Sequence, residues 1–146
     1  MGMRRHYLVA GLLVAALALV ATVVLAGTPE VQVLDQWKTT VQHSKFSQDY
    51  SNMKEITSHL QHVVNCIEGA VGPGFEGGAG NPCQGQGNGM IVDAKKAGGK
   101  FTQTVGWMEV ADNLAKSGKR ATSADAAKAY GAATQAVLEH VGAVLR

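Results

Sequence analysis

Side chains that bind first-row metals recur along one stretch of this chain: Glu55, His59, His62 and Cys66, at spacings of four, three and four. On a helix advancing about 100° per residue, these four fall within about 60° of one another and form one stripe. Imidazole, carboxylate and thiolate are all transition-metal ligands, and two histidines three positions apart can share an ion. The spacing therefore predicts a metal site on His59, His62 and Glu55. A competing reading comes from the apolar seam of the same helix, Met53, Ile56, Leu60, Val63 and Ile67. Its centre lies about 120° away, so the stripe borders the core and equally fits a solvated face.

His140 is the second candidate. It falls within an apolar seam made of Ala126, Tyr130, Ala133, Val137 and Val144, where a buried imidazole needs a partner. That partner is either a metal or haem iron, shared across the bundle with His59, or an ordinary oxygen acceptor in the core. His43, at the end of the first helix, is expected to complement the helix dipole. Covalent haem is excluded because no C-x-x-C-H run exists, and the Glu-x-x-His repeat of di-iron bundles is absent. The cofactor expectation is thus a transition metal or non-covalent haem, with neither specified. Glu109 and Asp112 fit paired carboxylates, but a solvated helix face explains them with fewer assumptions. With no G-x-S-x-G motif and no thiol expected to be free, nothing assembles an activated nucleophile, so the chain does not read as an enzyme.

Four helices must position these groups. The first spans residues 30–43, with Val31, Leu34, Trp37, Thr40 and Val41 as a loose stripe. The second spans 49–68 and stops at Gly69. The third covers 90–116, with a weakness at Gly98-Gly99 before Phe101, Val105, Met108, Ala111 and Ala115 resume the helical period. The fourth begins at the capping box Thr122-Ser123-Ala124-Asp125. No segment alternates with strand periodicity. The expected fold is all-α: a small four-helix-bundle-like domain, or three helices packed with an extended N-terminal one.

Between the second and third helices, nine of the 21 residues from 69 to 89 are glycine, and Pro73 and Pro82 add further breaks. Its G-x-G-x-G run lacks the preceding strand and the Lys-Ser/Thr ending of a phosphate-binding turn. Cys66 and Cys83 are the only cysteines and are expected to pair, closing a loop for which chain entropy assigns about 3 kcal/mol. Asn88 is the expected N-cap of the third helix. A stapled loop of this kind either covers a bundle end or presents a contact surface, with Asn65, Asn81, Pro82 and Asn88 as its contact residues.

The run His59-Leu60-Gln61-His62-Val63-Val64-Asn65, followed by Gly69 and then Gly80-Asn81-Pro82 through Gly89, resembles a pattern in uncharacterised exported bacterial helical proteins. In those a helix ending H-x-x-H-V-x-N leads into a glycine-rich N-P loop. The likeness covers this helix and loop alone and implies no activity. What it implies is that the two form one unit, with the Asn65 amide capping or bracing the loop.

Residues 1–27 set the location. Arg4 and Arg5 precede an uncharged Leu-, Val- and Ala-rich stretch, the order of a signal peptide, yet residues 8–26 are also long enough for a single transmembrane anchor. Either reading keeps the two arginines cytoplasmic and exports residues 28–146. Of 13 basic residues, 11 remain after Arg4 and Arg5, matching the 11 acidic ones. A neutral exported domain disfavours nucleic acid as a partner, because that binding rests on phosphate neutralisation. The leading expectation is a periplasmic or cell-surface binding module, anchored or secreted. Its alternative is a single-span accessory subunit of a membrane protein complex of electron-transfer or photosynthetic type.

Overall fold

The structure is a computed structural model that describes residues 27–146. The apolar stretch of residues 8–26, read above as a signal peptide or anchor, lies outside them. The described residues form six α-helices: α1 (Pro29–Asp49), α2 (Met53–Glu68), α3 (Met90–Ala97), α4 (Gly99–Gln103), α5 (Val105–Lys119) and α6 (Ala124–Leu145). One 3₁₀ turn, Gly77–Ala79, interrupts the loop between α2 and α3, and no strand occurs among the described residues. None of these helices is long and apolar enough to cross a membrane.

Capping residues set where the helices begin. Asn52 accepts the Glu55 backbone N–H at 3.0 Å, and Ser123 accepts that of Ala126 at 3.2 Å, each satisfying a donor that a helix start leaves free. Pro29 opens α1, where its missing N–H costs nothing. The expected third helix is in fact three. Gly98 takes φ +74° and ends α3, and Thr104, whose hydroxyl donates to the Phe101 carbonyl at 2.7 Å, separates α4 from α5. Asn88 does not cap α3. Gly89 holds that position, while the Asn88 backbone and side chain both donate to the Asp93 carboxylate.

The four long helices form a ring in which α1 and α5 each lie beside both α2 and α6, and α3 packs against α1. The centre is filled by Ile56, Leu60, Val63 and Ile67 of α2, Met108, Ala111 and Ala115 of α5, and Leu138 and Val141 of α6, all fully buried. Each large aliphatic side chain among them contributes about 1.5–3 kcal/mol by leaving water.

Two expected seams are corrected. In α6 the buried positions are Ala127, Gly131, Thr134, Leu138, Val141, Gly142 and Leu145, one residue on from most of the seam read from the sequence, which leaves Tyr130, Ala133, His140 and Val144 exposed. Small residues decide this. Gly142 and Gly131 admit Trp37 and Ser47 of α1 so closely that a Cβ at either would lie 2.1–2.3 Å from them. The Trp37 indole N–H donates to the Leu138 carbonyl at 2.7 Å. In α1 the fully buried face is Val33, Gln36, Thr40, Ser44 and Ser47, largely polar; of the expected stripe Thr40 is buried, Leu34, Trp37 and Val41 pack half-buried against the core, and Val31 is exposed. The hydroxyls of Thr40, Ser44 and Ser47 donate to carbonyls three or four residues back in the same helix, so this face is buried without orphaned groups.

The glycine-rich loop is pinned at both ends and in its middle. Cys66 and Cys83 form a disulfide with Cα atoms 5.3 Å apart. Gly69 and Gly89 bring the loop's ends together at φ +72° and +115°, and a Cβ on Gly69 would come within 1.9 Å of the Asn88 carbonyl oxygen. From α2, the buried Asn65 side chain donates to the Glu76 and Gly80 carbonyls and accepts the Glu76 N–H and the Gln61 amide. From α1, the buried Gln36 donates to Asp93 and accepts the Gly89 N–H.

Candidate metal centre

Three histidines meet where α1, α2 and the loop come together. The connector between α1 and α2 is only Tyr50 to Asn52, which forces the helices antiparallel. His43 lies six positions before the end of α1 and His59 six after the start of α2, so the hairpin sets them face to face. His62 is one turn further along α2 on the same side. The His43 Nδ1 atom lies 2.9 Å from His59 Nδ1 and 3.1 Å from His62 Nδ1. One ligand atom from each ring falls within 4.8 Å of the others.

The loop orients the third ring. His62 Nε2 lies 2.7 Å from the Ala79 carbonyl oxygen, which accepts only, so Nε2 carries the proton and Nδ1 of the neutral ring presents its lone pair. Metal-binding histidines are commonly held this way, by a carbonyl on the nitrogen that faces away from the ion. The cluster is half-buried, with Phe46 and Tyr50 around it and the Tyr50 ring stacked on His59 at 5.1 Å.

Hydrogen bonding alone does not satisfy this arrangement. An imidazole Nδ1 has either one proton or one in-plane lone pair, so it takes part in one linear hydrogen bond. His43 Nδ1 faces two partners at hydrogen-bond distance, and with the His62 proton on Nε2 no neutral tautomer of His43 serves both contacts. Burial is the main cause holding the His43 imidazolium down to a pKa of about 4, reinforced by His62 and His59. His59 is lowered too, by burial first and His62 second, against an opposing pull from Glu55. Neutral rings keep the lone pairs that a metal requires.

The other expected site residues lie elsewhere. Glu55 is on the same helix, but its carboxylate accepts the Asn52 side-chain amide at 2.7 Å, completing a reciprocal cap at the start of α2. Cys66 is consumed by the disulfide. His140 is exposed on the outside of α6, edge-on to Trp107 at 4.6 Å, and shares no site with His59. With His43 Nδ1 already within hydrogen-bond reach of both other rings, no gap is left for a porphyrin between it and either partner. Of the loop residues, Asn81 accepts the Cys83 N–H, Pro82 is half-buried and Asn88 is exposed but tied to Asp93. Asp112 is not on a solvated face. It is buried against Lys116, which also binds Glu68, and burial raises its carboxyl pKa to about 6.

His43, expected to complement the dipole at a helix end, lies six positions inside α1, outside its last turn. Its signal was the near-equal distance of His43 and His59 from the α1–α2 turn, visible only once both helix ends are fixed. No family model, curated protein or solved structure matches this chain.

Proposed function

We propose that this protein is an extracytoplasmic helical binding module that holds a transition-metal ion on His43, His59 and His62. One observation carries the reading: three imidazole nitrogens converge in an arrangement that neutral tautomers leave unsatisfied and a Lewis acid would satisfy. Three neutral nitrogen donors suit zinc, copper or nickel, and do not suit the oxygen-seeking calcium or magnesium. The Ala79 carbonyl supplies the outer support for His62. A disulfide between the only two cysteines supports an oxidising compartment, as does the signal-like order of residues 1–27.

The test is metal content and affinity of the untagged full chain. Elemental analysis of protein purified without chelator should find close to one transition-metal ion per chain. Replacing His43 or His59 by Ala should weaken binding by about 100-fold or more, beyond the 10–100-fold typical of outer supporting residues. Wild-type affinity no tighter than that of the His43→Ala/His62→Ala variant would refute the assignment.

A further inference from the structure

We infer that the ion on His43, His59 and His62 keeps one coordination position for a small anion from solution, so that the bound metal is itself the receptor. This rests on the three-histidine reading above and deepens it by naming what the site takes. The donor count is the first ground. Among the described residues, these three imidazoles form the one group of histidine, cysteine and acidic side chains whose ligand atoms converge. The two other residues of the stripe on α2 are committed elsewhere, Cys66 to the disulfide and Glu55 to the Asn52 amide. Zinc and its neighbours in the series take four ligands or more, and a site that supplies three leaves the next to water or to whatever displaces it.

Charge is the second ground. Neutral imidazoles cancel none of the ion's charge, and with no thiolate or carboxylate among them the centre stays dicationic. Half-buried beside Phe46 and Tyr50, that charge is screened less than it would be in bulk water. Such a cation is the largest local charge in its surroundings and favours an anion over a neutral ligand. Access is the third ground. The loop closes only the far edge of His62, where the Ala79 carbonyl meets Nε2 and a Cβ on Gly80 would stand 3.5 Å from that nitrogen. His43 and His59 are each partly open to solvent, and Tyr50 beside His59 is exposed. Rings as close as these admit a single donor atom, such as hydroxide or a halide, more readily than a chelating group.

The experiment uses the untagged full chain loaded with one equivalent of Zn(II). X-ray absorption at the zinc edge is read with and without sodium bromide, whose heavy anion is distinguishable from nitrogen and oxygen. Without bromide the zinc should show three imidazoles and one further light atom. With bromide that atom should give way to one bromide per zinc while the three imidazoles persist, and Glu55→Gln should behave as wild type. His43→Gln should bind Zn(II) about 100-fold or more weakly. Circular dichroism checks that its helices persist, and His59→Gln replaces it if they do not. A fourth ligand that bromide leaves in place, or displaces only in Glu55→Gln, would overturn the inference and leave the metal reading standing. Zn(II) bound no more tightly by wild type than by the histidine variant would sink both.

Discussion

His43 carries the pH behaviour of the metal-free protein. Its folded-state pKa of about 4 lies below the ordinary 6.5, first because the ring is buried and then because His62 and His59 face it from α2. Between those values the unfolded chain binds a proton that the folded chain refuses. The contribution is therefore complete above pH 6.5 and is lost as pH falls through 4. For a half-exposed ring it amounts to about 1–2 kcal/mol after solvent screening. Asp112 works in the opposite sense, because burial raises it to about 6 and its contribution fades as pH rises through that value. Comparing wild type with His43→Gln isolates the histidine. Urea midpoints of the chelated protein should fall between pH 6.5 and pH 4 more steeply for wild type than for the variant. Parallel profiles would mean that His43 titrates normally.

At the scale of elements, α2 and the loop behave as one unit, and Asn65 is the joint. Its side chain makes four hydrogen bonds from a fully buried position, three of them to the loop backbone at Glu76 and Gly80. Asn65→Ala would leave the buried Gln61 amide with only its bond to the Gly74 carbonyl as an N–H donor and free the loop backbone of its partners. Leaving one buried polar group unpaired costs about 1–3 kcal/mol, so a loss of about 2–4 kcal/mol is expected from this multiple deletion. Denaturant unfolding at constant metal occupancy measures it. A change within a few tenths would show that water replaces the amide and that the loop is held elsewhere. The mutation should also weaken metal binding, since the 3₁₀ turn it steadies contains Ala79, the carbonyl that orients His62.

For the molecule as a whole, the disulfide ties that loop to the helical ring. Reduction, or Cys66→Ala with Cys83→Ala, should destabilise the domain by about 3 kcal/mol, the entropy of a loop of this length in the unfolded chain. Unfolding curves with and without reductant read this directly. Unchanged stability would mean that Asn65, Gln36 and the close approach of Gly69 to Gly89 already define the loop. The ring itself depends on close packing of α1 on α6, with Trp37 over Gly142 and Ser47 against Gly131, a contact that involves none of the three clustered histidines.

Helix content, the caps at Asn52 and Ser123 and the break near Gly98 follow from local chemistry, and local chemistry is written in consecutive residues. The second helix, expected from residue 49, begins instead at Met53, behind the Asn52 cap. The seam of α2 was legible because its apolar residues are large and regularly spaced. The inner faces of α1 and α6 were not, because serine, threonine, glycine and alanine bury there by closeness of approach, which hydropathy does not register. The histidine pair on α2 could be read from spacing along one helix. Its third member could not, for His43 reaches the other two only through the turn of a hairpin, and Glu55 is drawn away by a cap. Composition and periodicity thus determined an all-helical chain bearing imidazoles on one face. Which imidazoles meet was decided by tertiary packing, because a three-ligand cluster is set by the register between separate elements.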